Sequence, residues 1–247
     1  MGLTIGITTF SKRFELVSEL IKQIRYINKT DKILLCINGE KDGDFDDNYR
    51  EKILKLCISY PNVYPTFFIE IRGLSKMWNT LIVNSDKENI LLLNDDLVIT
   101  DRTIFDQINN HINSDKFNGF TRINQSFSHF LVNKDVIDNL GYFDERLLGF
   151  GEEDGDIYYR CIKKGVNIVD INVNGFNNLI SNIRHDEVKN GIGKYSKFNR
   201  DFIYSSKYQT DMLSPYKGMF DTPMKQIIED IKLYPYEKFF NENKSEL

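Results

Sequence analysis

The sequence predicts an α/β fold: a mostly parallel central sheet flanked by helices on both faces, followed by a C-terminal helical extension. Three observations predict it. Short unbroken apolar runs recur through the first hundred residues, as LTIGIT (Leu3 to Thr8), KILLCI (Lys32 to Ile37), VYPTFFIEI (Val63 to Ile71) and ILLL (Ile90 to Leu93), which is how strands covered on both faces read. Segments with apolar residues at helical spacing separate these runs, and strict alternation of strand and helix leads to a parallel sheet. From about Asn174 the composition shifts toward Asn, Tyr, Lys and Phe, with helices expected near Ser196 to Ser206 and Thr222 to Leu233.

After the first strand, Arg13 to Ile27 carries Phe14, Val17, Leu20, Ile21, Ile24 and Ile27 on one helical face. The second strand leads to a helix at Asn48 to Ser59, the third to a helix at Leu74 to Val83, and Ile90 to Leu93 is the fourth strand. Asp101 can cap a helix bearing Ile104, Phe105, Ile108 and Ile112. SFSHFLVN (Ser126 to Asn133) reads as a strand. A helical segment over Glu152 to Lys164 stops at Gly165, and Val166 to Val173 returns to strand. No internal repeat or long linker interrupts the chain, so one domain over 1–210 and an extension over 211–247 is the economical division.

Composition excludes several classes. With 41% hydrophobic and 28% charged residues among 247, the chain is an ordinary globular protein with room for a sizeable core. A net charge of -4 gives no footprint for nucleic acid. No apolar run approaches the ~18 residues that cross a bilayer, and MGLTIGITTF lacks the features of a secretory signal, so a cytoplasmic location is expected. Cys36, Cys57 and Cys161 are odd in number and widely spaced, which fits buried reduced thiols rather than disulfides or a zinc site.

The chemistry is concentrated in two acidic clusters. ILLLNDDL ends the fourth strand in Asn94, Asp95 and Asp96, and in parallel sheets ligands bind beyond the carboxyl ends of strands. An NDD triplet can make a turn through local hydrogen bonds, or offer oxygen ligands to Mg²⁺ or Mn²⁺; alone it does not separate the two. The second cluster, GYFDERLLGFGEEDGDIYYRCIKKG, crowds Glu152, Glu153, Asp154 and Asp156 at a helix start. Acids there compensate the helix dipole, but four in five positions repel one another beyond what the dipole requires.

The succession TTFxKR, LSKxWN, LLLNDD, then GYFDER…GEEDGDIYYR with its trailing glycine, then an isolated histidine, resembles the family 2 type glycosyltransferases of the GT-A fold across roughly Leu3 to Tyr208. The chain departs from that family in having NDD where an acid-x-acid triplet is commoner, and Asn38 where an aspartate is usual. The resemblance implies that Thr8, Thr9, Phe10 and Arg13 lie beside the nucleotide base and diphosphate, with Asn38 and Gly39 under the base or ribose. Lys76 and Asn79 would reach the donor ribose and phosphates, and Asn94 and Asp95 would line the donor site. Asp96 would be the direct metal ligand and His185 a third one, an imidazole favouring Mn²⁺ over Mg²⁺. Asp154 would be the general base, with Glu153 as runner-up or orienting residue. His111 and His129 are expected to be structural, and Asp144 and Glu145 to pair with Arg146 or cap a turn.

The implied activity is inverting, metal-dependent transfer of a sugar from a nucleoside-diphosphate donor, by family frequency a UDP-sugar, to a glycan or lipid-linked glycan acceptor in capsule, lipopolysaccharide or wall polymer synthesis. Two readings stand beside it. A sugar nucleotidyltransferase would carry a Gly-rich phosphate loop after the first strand, and TTFSKRF has no glycine. A non-catalytic nucleotide-sugar or glycan-binding module is the other. The last segment, KQIIEDIKLYPYEKFF, suits either peripheral contact with the inner face of the cell membrane or an ordinary packed or homo-oligomerising helix.

Overall fold

The computed structural model describes residues 2–10, 12–40, 45–179, 195 and 197–203. His185 and the whole 211–247 extension lie outside the described residues. The elements run β1 (Leu3–Thr9), α1 (Phe14–Ile27), β2 (Lys32–Ile37), α2 (Asp47–Ser59), β3 (Val63–Phe67), α3 (Leu74–Asn84), β4 (Asn89–Asn94), β5 (Leu97–Ile99), α4 (Ile104–Ile112), β6 (Phe120–Ile123), β7 (Ser126–Asn133), α5 (Lys134–Leu140), α6 (Glu153–Lys164), β8 (Val169–Ile171) and β9 (Phe176–Asn178). The mixed α/β class and the mostly parallel sheet agree with the sequence. No described helix is long and apolar enough to cross a membrane.

Among the described residues a seven-stranded sheet runs in the order β3-β2-β1-β4-β7-β6-β8, with β5 and β9 forming a separate antiparallel pair. The pairs β1–β2, β1–β4, β2–β3 and β6–β8 are parallel; β7 runs antiparallel to β4 and β6. β1 is buried along its whole length, as its apolar run requires. Among the described residues β3 is an edge strand paired only to β2, and it contains Pro65. It ends at Phe67, short of the expected Ile71, and beyond it the chain makes a single isolated bridge between Glu40 and Glu70.

The residues group into two compact units. The first comprises Met1–Ile71, Thr80–Val136 and Ile168–Leu179, and so contains every described strand; the second comprises Arg72–Asn79, Ile137–Asn167 and Ile180–Leu247. The core of the first unit gathers Ile5 and Ile7 of β1, Leu91 and Leu93 of β4, Leu131 of β7, Val17, Leu20 and Ile24 of α1, Ile104 and Ile108 of α4, and Phe176 of β9. The expected apolar face of α1 therefore becomes the cover of the sheet.

Local signals explain most boundaries. Asp46 caps α2 by accepting from the amides of Asn48 and Tyr49 at 2.9 and 3.1 Å. Asp101 acts one step before the helix: its Oδ1 accepts from Thr103 N and Oγ1, both at 2.8 Å, and α4 begins at Ile104. In the second unit α6 ends on Gly165 in left-handed conformation (φ 67°), where a side chain would be strained. Three free cysteines, all buried, match the reading of inert core thiols.

Candidate active site

In the first unit, parallel register brings the ends of three strands together. Thr8 pairs with Asn94 on one side and Cys36 on the other, so the residues just beyond β1, β2 and β4 share one end of the sheet. Thr8 Oγ1 donates to Asn94 Oδ1 at 3.3 Å, and Thr9 Oγ1 donates to Asp95 Oδ2 at 2.6 Å. Arg13, next to α1, sets Nη1 2.9 Å from Asp95 Oδ1 and Nη2 3.7 Å from Asp96 Oδ2. Both carboxylates are 1% exposed. Burial pushes the Asp95 carboxyl up to about 6, against the opposing pull of Arg13 and Thr9.

Asn38 is fully buried; its backbone N–H donates to Thr9 O at 2.9 Å and its side-chain Oδ1 accepts from Gly39 N at 3.0 Å. Gly39 has a packing reason of its own. A Cβ there would stand 2.2 Å from the carbonyl carbon of Glu70 and 2.5 Å from Ile69 O, so the 69–70 backbone can approach only a glycine. Sequence reasoning did not single out Tyr49. Its hydroxyl donates to Phe10 O at 2.8 Å and lies among Thr9, Asp95 and Arg13, with burial raising the phenol to about 12. Its only signal was being the third residue after the Asp46 cap, a position that says nothing about which side of α2 faces the acids.

His129 sits in β7 opposite Leu93, its ring 5.4 Å from that of Phe176. Burial pushes the imidazole down to about 4, opposed by Asp96, so the ring is neutral. Neither ring nitrogen has a hydrogen-bond partner among the described residues. His111 Nε2 shares a 2.8 Å hydrogen bond with Thr121, in keeping with a structural histidine.

In the second unit, α3 begins on a loop that is tied to 143–149. Leu74 N donates to Gly149 O at 2.7 Å. Asn79 Nδ2 donates to both Phe143 O and Glu145 Oε1 at 2.8 Å, and its Oδ1 accepts from Phe143 N at 3.0 Å. Both amide hydrogens are thus engaged within the protein, so Asn79 braces the 143–145 loop. Lys76 Nζ lies 3.1 Å from Glu145 Oε2. Asp144 pairs with Arg146 at 2.8 Å as expected, whereas Glu145 turns to Lys76 and Asn79.

The acids at the start of α6 sort by environment. Glu152, with a left-handed backbone (φ 74°), accepts from Arg200 Nη2 at 2.7 Å. Glu153 is buried, its Oε2 has no hydrogen-bond partner among the described residues, and desolvation raises its carboxyl to about 8. Asp156 is buried against Arg160 at 2.9 Å. Asp154 differs: it is exposed, and its Oδ1 accepts from the Gly155 amide at 2.8 Å. Of the four, it alone is both solvent-facing and without a cationic partner among the salt bridges of the described residues.

A hard divalent cation takes oxygen ligands, and the adjacent Asp95 and Asp96 fit that donor set, although Asp95 is also held by Arg13 and Thr9. Among the described residues no group of three or more His, Cys, Asp or Glu side chains is arranged to hold a metal ion. The two aspartates would need oxygens from a bound ligand, or the His185 ring outside the described residues, to complete a coordination shell.

No family model and no curated protein sequence matches the chain. Solved structures do. A mannosyltransferase from Pyrobaculum calidifontis, in complex with GDP-Man and Mn²⁺, is similar with a TM-score of 0.65 at 9% identity, covering 98% of this chain and 75% of that one. Glucosyl-3-phosphoglycerate synthase from Mycobacterium tuberculosis, in complex with Mn²⁺, UDP and glucosyl-3-phosphoglycerate, gives 0.59 at 8% identity, covering 83% and 79%. The catalytic domain of Drosophila β1,4-galactosyltransferase 7, in complex with xylobiose, gives 0.52 at 11% identity, covering 75% and 74%. The chain therefore has the GT-A glycosyltransferase fold.

Proposed function

We propose that this chain is an inverting, metal-dependent glycosyltransferase that moves a sugar from a nucleoside-diphosphate donor, a UDP-sugar, to a hydroxyl of a glycan or lipid-linked glycan during surface polysaccharide synthesis. The observation that carries the reading is the sorting of the α6 acids, in which Asp154 stays exposed while its neighbours are buried or paired. Similarity to structures holding GDP-Man, UDP and Mn²⁺ supports the donor class.

In this reading Asp154 accepts the proton of the acceptor hydroxyl as its oxygen bonds to the anomeric carbon and the bond from that carbon to the diphosphate breaks. In-line attack inverts the anomeric centre. Asp96 and His185, with Asp95 beside Asp96, would hold a divalent cation, which would supply Lewis-acid stabilisation of the charge on the departing diphosphate. Arg13 and Lys76 add donors for the same charge, and Thr8, Thr9, Phe10, Asn38 and Asn94 shape the nucleotide side. Glu153, which is buried, orients the acceptor or sugar.

A thermal-shift screen of nucleoside diphosphates and sugar nucleotides with and without Mn²⁺ identifies the donor, since a ligand bound only by the folded state raises the melting point. Asp154→Asn is then expected to keep donor binding and lose transfer by about 10²–10⁴-fold. Unchanged turnover would discard the base assignment, and donor binding with no turnover in the unmodified chain would favour the non-catalytic module.

A further inference from the structure

The carboxylates after β4 already have a cation, and it belongs to the chain. One guanidinium serves both: Arg13 Nη1 stands 2.9 Å from Asp95 and Nη2 3.7 Å from Asp96. A divalent ion using Asp96 would bring its charge against this resident positive charge, at a separation where like charges in a protein repel strongly. The acids are 1% exposed but the Arg13 side chain is 26% exposed, so it alone has an open path away. It occupies the residue before α1, and Lys12 before it has φ 66°, a left-handed backbone conformation that costs a non-glycine residue energy. A diphosphate would present a guanidinium with several charged oxygens in the fork geometry that Arg prefers.

We propose that Arg13 is a resident counter-cation that keeps a divalent ion off Asp95 and Asp96 in the unliganded protein, and releases the acids when a nucleoside diphosphate arrives with the ion and takes over the guanidinium. This rests on the glycosyltransferase reading above. Ion and diphosphate then bind as coupled ligands, each raising the affinity of the other by the same factor. The step moves no proton and breaks no covalent bond; one guanidinium exchanges carboxylate for phosphate oxygens.

The test measures Mn²⁺ binding by loss of the free-ion paramagnetic resonance signal, for the unmodified chain, Arg13→Gln and Arg13→Lys, each alone and with UDP or GDP. Without nucleotide, Arg13→Gln is expected to bind Mn²⁺ about tenfold more tightly or better than the unmodified chain, because a like charge has been removed, and Arg13→Lys to retain the exclusion. With nucleotide the order of Arg13→Gln and the unmodified chain reverses. Melting curves guard against a folding defect: Mn²⁺ alone should raise the melting point of Arg13→Gln, and that of the unmodified chain only with nucleotide. If the unmodified chain binds Mn²⁺ with UDP or GDP but Arg13→Gln gains nothing without them, the counter-cation idea falls alone. If no nucleotide promotes Mn²⁺ binding to the unmodified chain, both it and the functional reading fall.

Discussion

Asp156 and Arg160 lie one helical turn apart on α6 and form an ion pair, Nη2 to Oδ2 at 2.9 Å, with both side chains 0% exposed. The other guanidinium nitrogen, Nη1, donates to Gly141 O at 2.8 Å and Leu140 O at 3.2 Å. The most family-like stretch of the sequence thus contains a structural clamp beside its candidate base. It fixes the first turn of α6 to the end of α5.

Removing one half of that pair leaves the other charge buried. Arg160→Met is expected to lower stability by roughly 3–5 kcal/mol, and urea titration of the purified variant checks it. Arg160→Lys keeps the charge but lacks the fork that reaches two carbonyls and a carboxylate together, so it should be destabilised as well. A variant as stable as the parent would mean that α6 is not anchored this way.

Glu153 gives a pH signature. Its folded carboxyl sits at about 8, raised first by desolvation, so between the ordinary glutamate value and about pH 8 the folded chain holds a proton that the unfolded chain has released. Stability is therefore lost as pH rises through that window, by at most about 1.4 kcal/mol per pH unit for one proton. Glu153→Gln cannot ionise and escapes the loss. Its stability relative to the parent should climb from pH 5 to pH 8 in denaturant titrations; a difference independent of pH would show the folded carboxylate to be charged.

Tyr49→Phe removes the hydroxyl that holds Phe10 O. A loss of about 0.5–1.5 kcal/mol is expected from the single bond, together with weaker nucleotide binding, because Phe10 belongs to the segment that carries Arg13. Titration calorimetry with the nucleotide selected by the thermal screen reads the second effect. Weakened stability with unaltered affinity would confine Tyr49 to a packing role.

Gly39→Ala forces a methyl group into the Glu70 backbone, where atoms would stand 2.2–2.5 Å apart. Overpacking of this kind costs about 1–3 kcal/mol, and more where backbone has to yield. A melting curve indistinguishable from that of the parent would show that the 69–70 segment can retreat freely.

The sheet was legible because its central strands are apolar runs with nothing to confuse them, and because α1 and α4 repeat Ile and Leu at helical intervals. The short strands β5, β6 and β9 escaped notice: three or four residues are too few for a period to show, and they form through distant partners, as Ile99 with Phe176. Asp95 and Asp96 could be proposed from their position after a strand, since ligands bind beyond the carboxyl ends of parallel strands, whereas Thr9 and Arg13 were proposed only through the family resemblance. That Asn79 braces Phe143, 64 positions away, could not, because an Asn on a helix looks the same whether it faces a loop or a ligand. The α6 acids were visible as a cluster, yet only burial and the partners Arg160 and Arg200 separate one from another.

Pro65 in β3 has a consequence for how copies of this chain behave when crowded. A proline offers no amide hydrogen, so the flank of the sheet that it occupies cannot present a complete row of donors to an incoming extended segment. The opposite flank, β8, has three residues and gives little to grip. Among the described residues both margins of the sheet are therefore poor templates for the strand addition that builds fibrils.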